Sequence, residues 1–461
     1  MRLHKDFIQK TISDISFLYE NFPQAISFSI DSRSLQSGEL FVAIKGNLVD
    51  GHDFIEEALQ KNAAGILMAH DQKDRLKKID QALVKNKCIM LVADPRQAVI
   101  DMARTWRKQF AYPVIGVTGS VGKTTTKEMI GVLLQEHGMR ALISQGNQNT
   151  LLGASLNILR MTSDHDIAVF ELGIGRRGQM AQLAELVQPT AGVITFIGHS
   201  HMEGLGSIND IAIEKRDLFK FFKEDSIGII NGDQPLLAQV AYKHPVIKFG
   251  TKTTNQVQAR KVNNDSAGVS FILKLYGNKY AIRLEKNHSG AVFNALATAA
   301  VGYYLQIPAE TIIKAIEKPL VVQGRFVQHP LKFGVGKLID DSYNANPESM
   351  KAALLAFEQI KTKAQKIAVI GDMLELGANS PFWHRQIGRF LRKTPSVRTI
   401  ILVGSLVEWT KKTLPLGTRV EHVPTWKEAQ EKLQEELKKE SMVLVKGSLG
   451  MQLKNLVDAL T

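Results

Sequence analysis

The hydrophobic residues fall into short apolar runs separated by amphipathic stretches, a pattern typical of an α/β protein. Near the start, residues 26–30 alternate apolar and polar positions as a half-buried strand does. Further strands are predicted at residues 40–44 and 64–68, with a helix between them at residues 54–60. We therefore expect a small α/β domain over residues 1–94.

The middle of the chain, residues 95–317, contains apolar runs that each end in a polar residue or a glycine. These runs are residues 114–117, 167–170, 193–197 and 227–230. In open parallel sheets ligands gather where strands end, so the residues after these runs are expected near a bound ligand. A hairpin is predicted over residues 271–284, with its turn at Gly277 and Asn278.

The last part of the chain, residues 318–461, repeats a strand that runs into a glycine. The repeats are residues 367–371, 400–404 and 443–447. We expect a Rossmann-like domain, although the glycine fingerprint of dinucleotide binding is absent from the sequence.

A glycine loop between a strand and a helix carries the strongest chemical signal. Its glycines let backbone N–H groups converge on a phosphate, Lys123 neutralises phosphate oxygens, and Thr124 offers a hydroxyl to Mg²⁺. The spacing is shortened, because Gly119 lies three residues before Gly122 where the usual loop has five, and the alternative is a plain turn into a helix. We interpret the segment as an ATP site formed by Gly119, Ser120, Val121, Gly122, Lys123, Thr124 and Thr125.

The predicted fold is therefore α/β with three domains. A small N-terminal α/β domain precedes a central P-loop-type ATPase domain with a parallel sheet, and a C-terminal Rossmann-like domain follows.

The composition of the chain limits the compartments and partners that are expected. The 461 residues carry one cysteine, Cys88, which suits a reducing compartment, and no apolar run approaches the length of a membrane span. The net charge of +13 is compatible with nucleic acid, an anionic membrane or a polyanionic substrate, but the lysines and arginines are scattered without interleaved aromatic residues. We expect a soluble cytoplasmic monomer that binds no nucleic acid.

Two residues at the ends of predicted strands, Glu171 and His201, are candidate metal ligands. Glu171 is expected to join Thr124 on Mg²⁺, although a surface carboxylate near a helix N-terminus is the alternative. His201 lies in a loop with His199, and two loop histidines are often only exposed side chains.

Lys215 falls on the apolar stripe of a helix that starts with a capping box at Ser207 and Asp210. A buried ammonium is costly, so this lysine is salt-bridged, extends its amine to solvent, or is chemically altered. A desolvated free amine reacts with CO₂, and the resulting carbamate is an oxygen ligand suited to a second Mg²⁺.

The segment 340–347 reads DDSYNANP and leads from a strand into a helix with Pro347 at its first position. Two carboxylates, a tyrosine and two asparagines suit nucleotide or metal contacts, and an Asx-rich turn is an equal alternative.

Taken with these motifs, the chain resembles the Mur ligases over nearly its whole length. The matching segments, besides the glycine loop and the metal candidates, are residues 31–33, 45–46, 50–52, 146–149, 340–347 and 371–377 together with Asn294. The family implies that ATP phosphorylates the carboxylate of a UDP-N-acetylmuramoyl-tripeptide and that the amine of D-alanyl-D-alanine attacks the acyl phosphate.

The resemblance also assigns residues. It implies catalytic roles for Lys123, His201 and Lys215, with Thr124, Glu171, His201 and carbamylated Lys215 holding two Mg²⁺ ions. It implies that Asn294, Arg325 and Asp341 contact the adenosine. It places the UDP-linked substrate at Ser32, Arg33, Lys45, Asp50, Gly51 and His52.

Four positions depart from the usual family pattern: Thr150 stands for Asn, Gln179 for Glu, Gly290 for His, and Leu449 for Arg. They concern peripheral substrate and adenine contacts. The competing functions are a sibling ligase that adds a single amino acid, a folate polyglutamating ligase, and a nucleotide-gated protein that hydrolyses ATP without ligation.

Overall fold

The computed structural model describes residues 4–23, 27–46, 49–265, 268–285, 289–332, 335–437 and 440–461. The described residues form a three-domain α/β fold with three β-sheets. They pack into two compact units. Unit 1 comprises Met1–Gly116, Met139–Leu172 and Ala181–Thr190, and unit 2 comprises Val117–Gly138, Gly173–Met180 and Ala191–Thr461.

Unit 1 begins with a five-stranded sheet flanked by helices. Its strands are β1 (Ser16–Glu20), β2 (Phe28–Ser29), β3 (Leu40–Val42), β4 (Gly65–Ala69) and β5 (Cys88–Val92), and its helices are α1 (Lys5–Thr11), α2 (Ile55–Gln60), α3 (Gln81–Val84) and α4 (Pro95–Arg107). The order is β1-β5-β4-β3-β2, with only β1 antiparallel to its neighbour among these strands. The predicted small α/β arrangement is confirmed, while Ile26 of the predicted strand 26–30 lies outside the described residues.

The boundary between the units falls within the strand before the glycine loop. The next elements in the chain are β6 (Val114–Thr118), α5 (Lys123–Glu136), β7 (Ala141–Ile143), α6 (Leu151–Ile158), β8 (Ile167–Glu171) and α7 (Gln179–Val187). The expected order of strand, loop and helix around the glycines is therefore present. Within unit 1, β7 and β8 pair in parallel.

The first part of unit 2 contains a parallel group of strands that continues into an antiparallel hairpin. The strands are β9 (Ala191–Ile194), β10 (Ile227–Asn231), β11 (Val246–Gly250), β12 (Val257–Asp265), β13 (Gly268–Leu275) and β14 (Asn278–Leu284). The helices are α8 (Met202–Leu205), α9 (Ile208–Arg216), α10 (Pro235–Ala238), α11 (Ser289–Tyr304) and α12 (Ala309–Glu317).

Two details of this region differ from the predictions. The hairpin turns at Tyr276 and Gly277, one residue early, because both have positive φ and the Tyr276 hydroxyl is anchored on the Ile307 carbonyl at 3.0 Å. Strand β9 ends at Ile194 instead of residue 197, because the following residues leave the sheet to bond the glycine loop and the Gln234 side chain.

The second part of unit 2 is a doubly wound domain. Its elements are β15 (Val327–Pro330), β16 (Val335–Asp341), α13 (Pro347–Gln359), β17 (Gln365–Gly371), α14 (Ser380–Phe390), β18 (Val397–Val403), α15 (Glu408–Lys411), β19 (Arg419–Val423), α16 (Trp426–Glu436), β20 (Glu440–Lys446) and α17 (Leu453–Leu460). The sheet order is β15-β16-β20-β17-β18-β19, parallel except for β15. This confirms the Rossmann-like prediction.

Both faces of this last sheet are buried, which is why its strands read as continuous apolar runs. Along β17, Ala368 and Ile370 pack on one face with α13 and α14, while Ile367 and Val369 pack on the other with α16 and α17. Among the described helices, none has both the length and the apolar character to cross a bilayer.

Candidate functional site

The glycine loop is shaped for an anion. Gly119 and Gly122 have φ of +152° and +87°, and a Cβ on Gly119 would lie 2.0 Å from the Thr195 hydroxyl oxygen. Gly122 caps α5 without a side-chain hydrogen bond, and a helix N-terminus that follows a glycine loop is a favourable place for a phosphate. Lys123 folds back onto the loop and donates from Nζ to the Gly119 carbonyl at 2.9 Å.

The loop is braced by a residue that the sequence reasoning did not single out. Thr195 follows β9, and its Oγ1 lies 2.6 Å from the Val121 carbonyl and 3.2 Å from the Thr118 carbonyl. Ser120 donates from its amide to the Phe196 carbonyl at 2.7 Å and from its hydroxyl to the Gly198 carbonyl at 2.9 Å. The sequence carries no clear signal for this role, because Thr195 lies inside the predicted apolar run 193–197.

A cavity of about 250 Å³ opens beside the loop, within unit 2. Apolar side chains, including Phe196 and Phe293, form part of its lining. Its lining also contains the predicted nucleotide residues Val121, Gly122, Thr124, Thr125, Asn294, Arg325 and Asp341. The structure therefore brings these seven together.

The polar residues of the cavity are held by specific contacts. Asn294 is 7% exposed, and its Oδ1 accepts from the Thr126 hydroxyl at 3.3 Å. The Arg325 guanidinium lies 4.1 Å from the centre of the Tyr343 ring and 3.5 Å, through Nη2, from the Thr124 hydroxyl. Lys446, which sequence reasoning left without a role, donates to Asp341 Oδ2 at 2.7 Å.

Lys215 is buried rather than extended to solvent. It is 1% exposed, and among the described residues its amine has no hydrogen-bond or ion-pair partner. Burial lowers the pKa of Lys215 well below its ordinary value, and the neighbouring Lys123 charge lowers it further. The predicted capping box of Ser207 and Asp210 is present at the start of its helix.

The residue before it positions a neighbouring loop. Both oxygens of the Glu214 carboxylate accept backbone hydrogen bonds, from Gly178 at 2.8 Å and from Met180 at 2.9 Å. Glu214 and Lys215 are consecutive residues of α9, so their side chains project from different sides of the helix.

His201 is paired with a carboxylate from the C-terminal part of unit 2. Its Nδ1 lies 2.5 Å from Glu375 Oε2, and the His201 hydrogen bond lowers the pKa of Glu375. Both residues have left-handed backbone conformations, with φ of 57° and 62°. Metal-binding histidines commonly hold a carboxylate in this way through the nitrogen that is not the ligand.

Glu171 belongs to unit 1 and ends β8. It is 2% exposed, and its Oε1 accepts from the Asn149 amide at 2.8 Å. Its Oε2 is buried without a hydrogen-bond partner among the described residues. A buried carboxylate oxygen with no donor suits a cation ligand.

The described part of the chain contains no group of three or more His, Cys, Asp and Glu side chains that could hold a metal by itself. A Mg²⁺ ion at a phosphate site takes most of its ligands from phosphate oxygens and water, with one or two from protein. Thr124 and His201 in unit 2 and Glu171 in unit 1 each carry a donor of the kind that Mg²⁺ accepts from protein.

The six predicted UDP-substrate residues, all in unit 1, fall into two groups. In the first, Ser32 is buried and donates from Oγ to Glu57 Oε2 at 2.9 Å. Arg33 has an 84% exposed side chain and forms a two-point ion pair with Asp31, which raises the pKa of Arg33 through the Asp31 hydrogen bond.

The second group surrounds a cavity of about 340 Å³, which Lys45, Asp50 and His52 line. His52 bonds Asp50 Oδ1 through Nδ1 at 2.6 Å and accepts the Ala69 amide at Nε2, so both ring nitrogens are used within the protein. Gly51 is required there because a Cβ would lie 2.6 Å from the Ile44 backbone nitrogen.

Two of the four departures from the family pattern preserve local hydrogen bonds. Gln179 Oε1 accepts from the Gly175 and Arg176 amides at 2.8 and 3.0 Å, as a carboxylate oxygen would. Thr150 caps α6 by accepting from the Gly153 amide. Gly290 lies in the lining of the nucleotide-sized cavity, and Leu449 is 57% exposed.

Comparison with known proteins places these features in a family. The chain matches the model of the Mur ligase family catalytic domain at residues 27–107, the Mur ligase middle domain at residues 117–302 and the Mur ligase glutamate ligase domain at residues 324–449.

A UDP-N-acetylmuramoyl-tripeptide–D-alanyl-D-alanine ligase from Bacillus subtilis is 34% identical over 93% of this chain and 91% of its own length. Among solved structures, MurF from Acinetobacter baumannii has a TM-score of 0.80 at 28% identity, covering 98% of this chain and 97% of that one. The MurF ligase of Thermotoga maritima in complex with ADP has a TM-score of 0.76 at 26% identity, covering 99% and 98%.

Proposed function

The chain belongs to the Mur ligase family, and on that premise we propose that it joins D-alanyl-D-alanine to a UDP-N-acetylmuramoyl-tripeptide with the use of ATP. The observation that carries the proposal is the cavity in which the phosphate loop meets Asn294, Arg325 and Asp341. We propose the cytoplasm as its location, since the reaction uses ATP and the single cysteine suits a reducing compartment.

The proposed reaction has two steps. The peptide carboxylate takes the γ-phosphoryl group of ATP, forming an acyl phosphate and ADP. The free amine of the dipeptide then attacks the acyl carbon, phosphate leaves, and the nitrogen loses a proton as the amide forms. Because little covalent chemistry falls to the protein, its part is positioning and charge stabilisation.

In this scheme the glycine loop and Lys123 hold the phosphates. Lys123, whose Nζ donates to the Gly119 carbonyl of the same loop, stabilises the charge of the transferring phosphoryl group. Asn294, Arg325 and Asp341 hold the adenine and ribose.

Thr124 and Glu171 would hold one Mg²⁺ ion, and His201 with carbamylated Lys215 would hold a second. The ions supply positive charge to the phosphate oxygens. Three observations support these roles: Glu171 Oε2 has no hydrogen-bond partner in the part of the chain that the structure describes, His201 pairs with Glu375, and the Lys215 amine is buried.

The carbamate follows from the chemistry of the Lys215 amine. Burial favours the neutral amine, whose lone pair adds to CO₂ with loss of a proton. The product is an anion, which interacts favourably with Lys123 where an ammonium would be repelled.

Residues 1–94 are proposed to bind the UDP-linked substrate, residues 95–317 ATP, and residues 318–461 to complete the ligase site. Exposed Arg33 faces the UDP portion, and Lys45 and Asp50 line a cavity of the same domain. Gly51 and His52 shape that cavity wall.

One assay tests the function: ATP turnover with UDP-N-acetylmuramoyl-tripeptide, with and without D-alanyl-D-alanine. We expect ADP and phosphate release that depends on both substrates. Activity with free amino acids but not with the dipeptide would instead indicate a sibling ligase, and turnover indifferent to any amine would indicate a hydrolase without ligation.

A further inference from the structure

A buried lysine with no role so far lies in the lining of the nucleotide cavity. Lys446 is the last residue of β20 and is 1% exposed. Its Nζ donates to Asp341 Oδ2 at 2.7 Å and to the Asn344 carbonyl at 3.0 Å.

The pair follows from the register of the sheet. Strands β16 and β20 are parallel neighbours, and Asp341 and Lys446 are register partners at the ends of the two strands. Register partners project to the same face of a sheet, so the lysine and the carboxylate meet there. Asn344 lies in the turn after β16, and its carbonyl fixes the direction of the ammonium.

Lys446 bonds only one of the two oxygens of the Asp341 carboxylate. Oδ2 is occupied by the ammonium, and Oδ1 has no hydrogen-bond partner among the described residues. Asp341 and Lys446 both lie in the cavity lining with Arg325, whose guanidinium stacks on Tyr343. The free oxygen is therefore an acceptor held at a defined position in the cavity.

We propose that Lys446 is a positioning residue that orients Asp341 so that Oδ1 accepts a ribose hydroxyl and selects ribonucleotides over deoxynucleotides. This rests on the proposed function, in which Asp341 contacts the adenosine. Burial raises the pKa of Asp341, and the Lys446 charge opposes that rise. Without the lysine the carboxyl group loses both its fixed orientation and part of its charge, and a ribose hydroxyl loses its acceptor.

The test compares the binding of ATP, 2′-deoxy-ATP and 3′-deoxy-ATP by calorimetry in the presence of Mg²⁺. We expect one deoxynucleotide to bind the unmodified protein about tenfold more weakly than ATP. Lys446→Met and Asp341→Ala should each weaken ATP binding while leaving the binding of that deoxynucleotide almost unchanged. The ratio of the dissociation constant of the deoxynucleotide to that of ATP should therefore approach one. In Asp341→Ala, adding Lys446→Met should change the ratio no further.

Lys366→Met is the matched control, because Lys366 is a buried lysine of the same sheet that donates to the Glu358 carbonyl away from the cavity. Its ratio should equal that of the unmodified protein. An equal loss for all three nucleotides in Lys446→Met, or an unchanged ratio, would overturn the positioning role.

Should Lys446→Met not fold, Lys446→Gln takes its place, because the neutral amide can still donate to Asp341 but without a charge. The deoxynucleotide-to-ATP ratio should fall in that variant too, and an unchanged ratio would overturn the positioning role. Nucleotide binding does not require ligation. Absence of dipeptide-dependent turnover would therefore contradict the proposed function alone, while an unchanged nucleotide ratio would contradict this inference alone.

Discussion

At the scale of single residues, unit 2 contains two almost fully buried lysines that are candidates for different roles. Lys215 and Lys446 are each 1% exposed, and both have a pKa lowered by burial. The two lysines differ in their partners, since Lys446 has a carboxylate partner and Lys215 has none among the described residues. An unpaired buried amine points to chemistry, whereas a paired one points to positioning.

Lys123→Ala should abolish ligation without unfolding the protein. The glycines and Thr195 set the loop backbone, so the variant loses only the charge-assisted contact to the phosphoryl group. Ligation assays and thermal unfolding check this, with Lys220→Ala on the exposed surface as control. Near-normal turnover in Lys123→Ala would contradict the ATP assignment.

Lys215→Ala should be inactive and partly rescued by a small added carboxylate such as acetate, which can occupy the space of the missing carbamate. Activity of the unmodified protein should fall in CO₂-depleted buffer and return with bicarbonate. Full activity under rigorous CO₂ depletion would rule out the carbamate role.

At the scale of elements, the glycine loop after β6 depends on packing against the residues that follow β9. Gly119→Ala should weaken ATP binding by more than tenfold, because its Cβ would lie 2.0 Å from the Thr195 hydroxyl that braces the loop. Gly138→Ala is the control, since Gly138 also has positive φ but has open space around it. It should cost about 1 kcal/mol of stability and leave nucleotide binding unchanged. Equal ATP binding by both variants would refute this account of the loop.

Helices α5 and α12 are joined by an ion-pair network. The Glu136 carboxylate lies between two lysines, with Oε2 at 2.7 Å from Lys314 Nζ and Oε1 at 2.7 Å from Lys318 Nζ. The hydrogen bonds from these lysines lower the pKa of Glu136 to about 2. A carboxylate with a lowered pKa in the folded state stabilises the protein above its unfolded pKa, near the ordinary 4.5, and the gain disappears as pH falls toward 2.

Glu136→Gln should therefore be less stable than the unmodified protein at pH 7, with a smaller difference at pH 4 and in high salt. Urea unfolding midpoints at both pH values measure this, and Glu408→Gln, which breaks a single exposed pair with Lys412, gives the reference. A stability difference that grows as the pH falls would show that the network does not act through charge.

At the scale of the whole molecule, the proposed division of labour puts the UDP substrate on the first domain and ATP on the others. We expect UDP-substrate binding in the absence of ATP, and Arg33→Ala should weaken it about tenfold by removing a charge-assisted contact. Calorimetry measures the affinity, with Arg104→Ala, an exposed arginine paired with Asp101, as control. Unchanged affinity in Arg33→Ala would move the UDP site elsewhere.

Local sequence alone determined the elements whose conformation depends on neighbours in the chain. The strand, glycine loop and helix around Lys123, the capping box at Ser207 and Asp210, and the helix start at Pro347 all follow from short-range sterics and hydrogen bonds, and all are present. The Rossmann-like sheet also followed, because strands buried on both faces leave a continuous apolar run. The UDP and adenosine residues were predicted only from the family motifs, because local physics alone left them as turns, helix positions and surface charge.

Only the tertiary structure decided which distant residues meet. The pairing of Lys446 with Asp341 depends on which strands are neighbours in the sheet. The hydrogen bond from Thr195 to the glycine loop depends on the point at which β9 ends. The pair of His201 with Glu375 depends on packing within unit 2. The same holds for Lys215, whose helical spacing allowed its amine to reach solvent until the surrounding elements buried it. Such contacts join residues far apart in the chain, and their energies depend on strand order and burial, which hydrophobic periodicity does not specify.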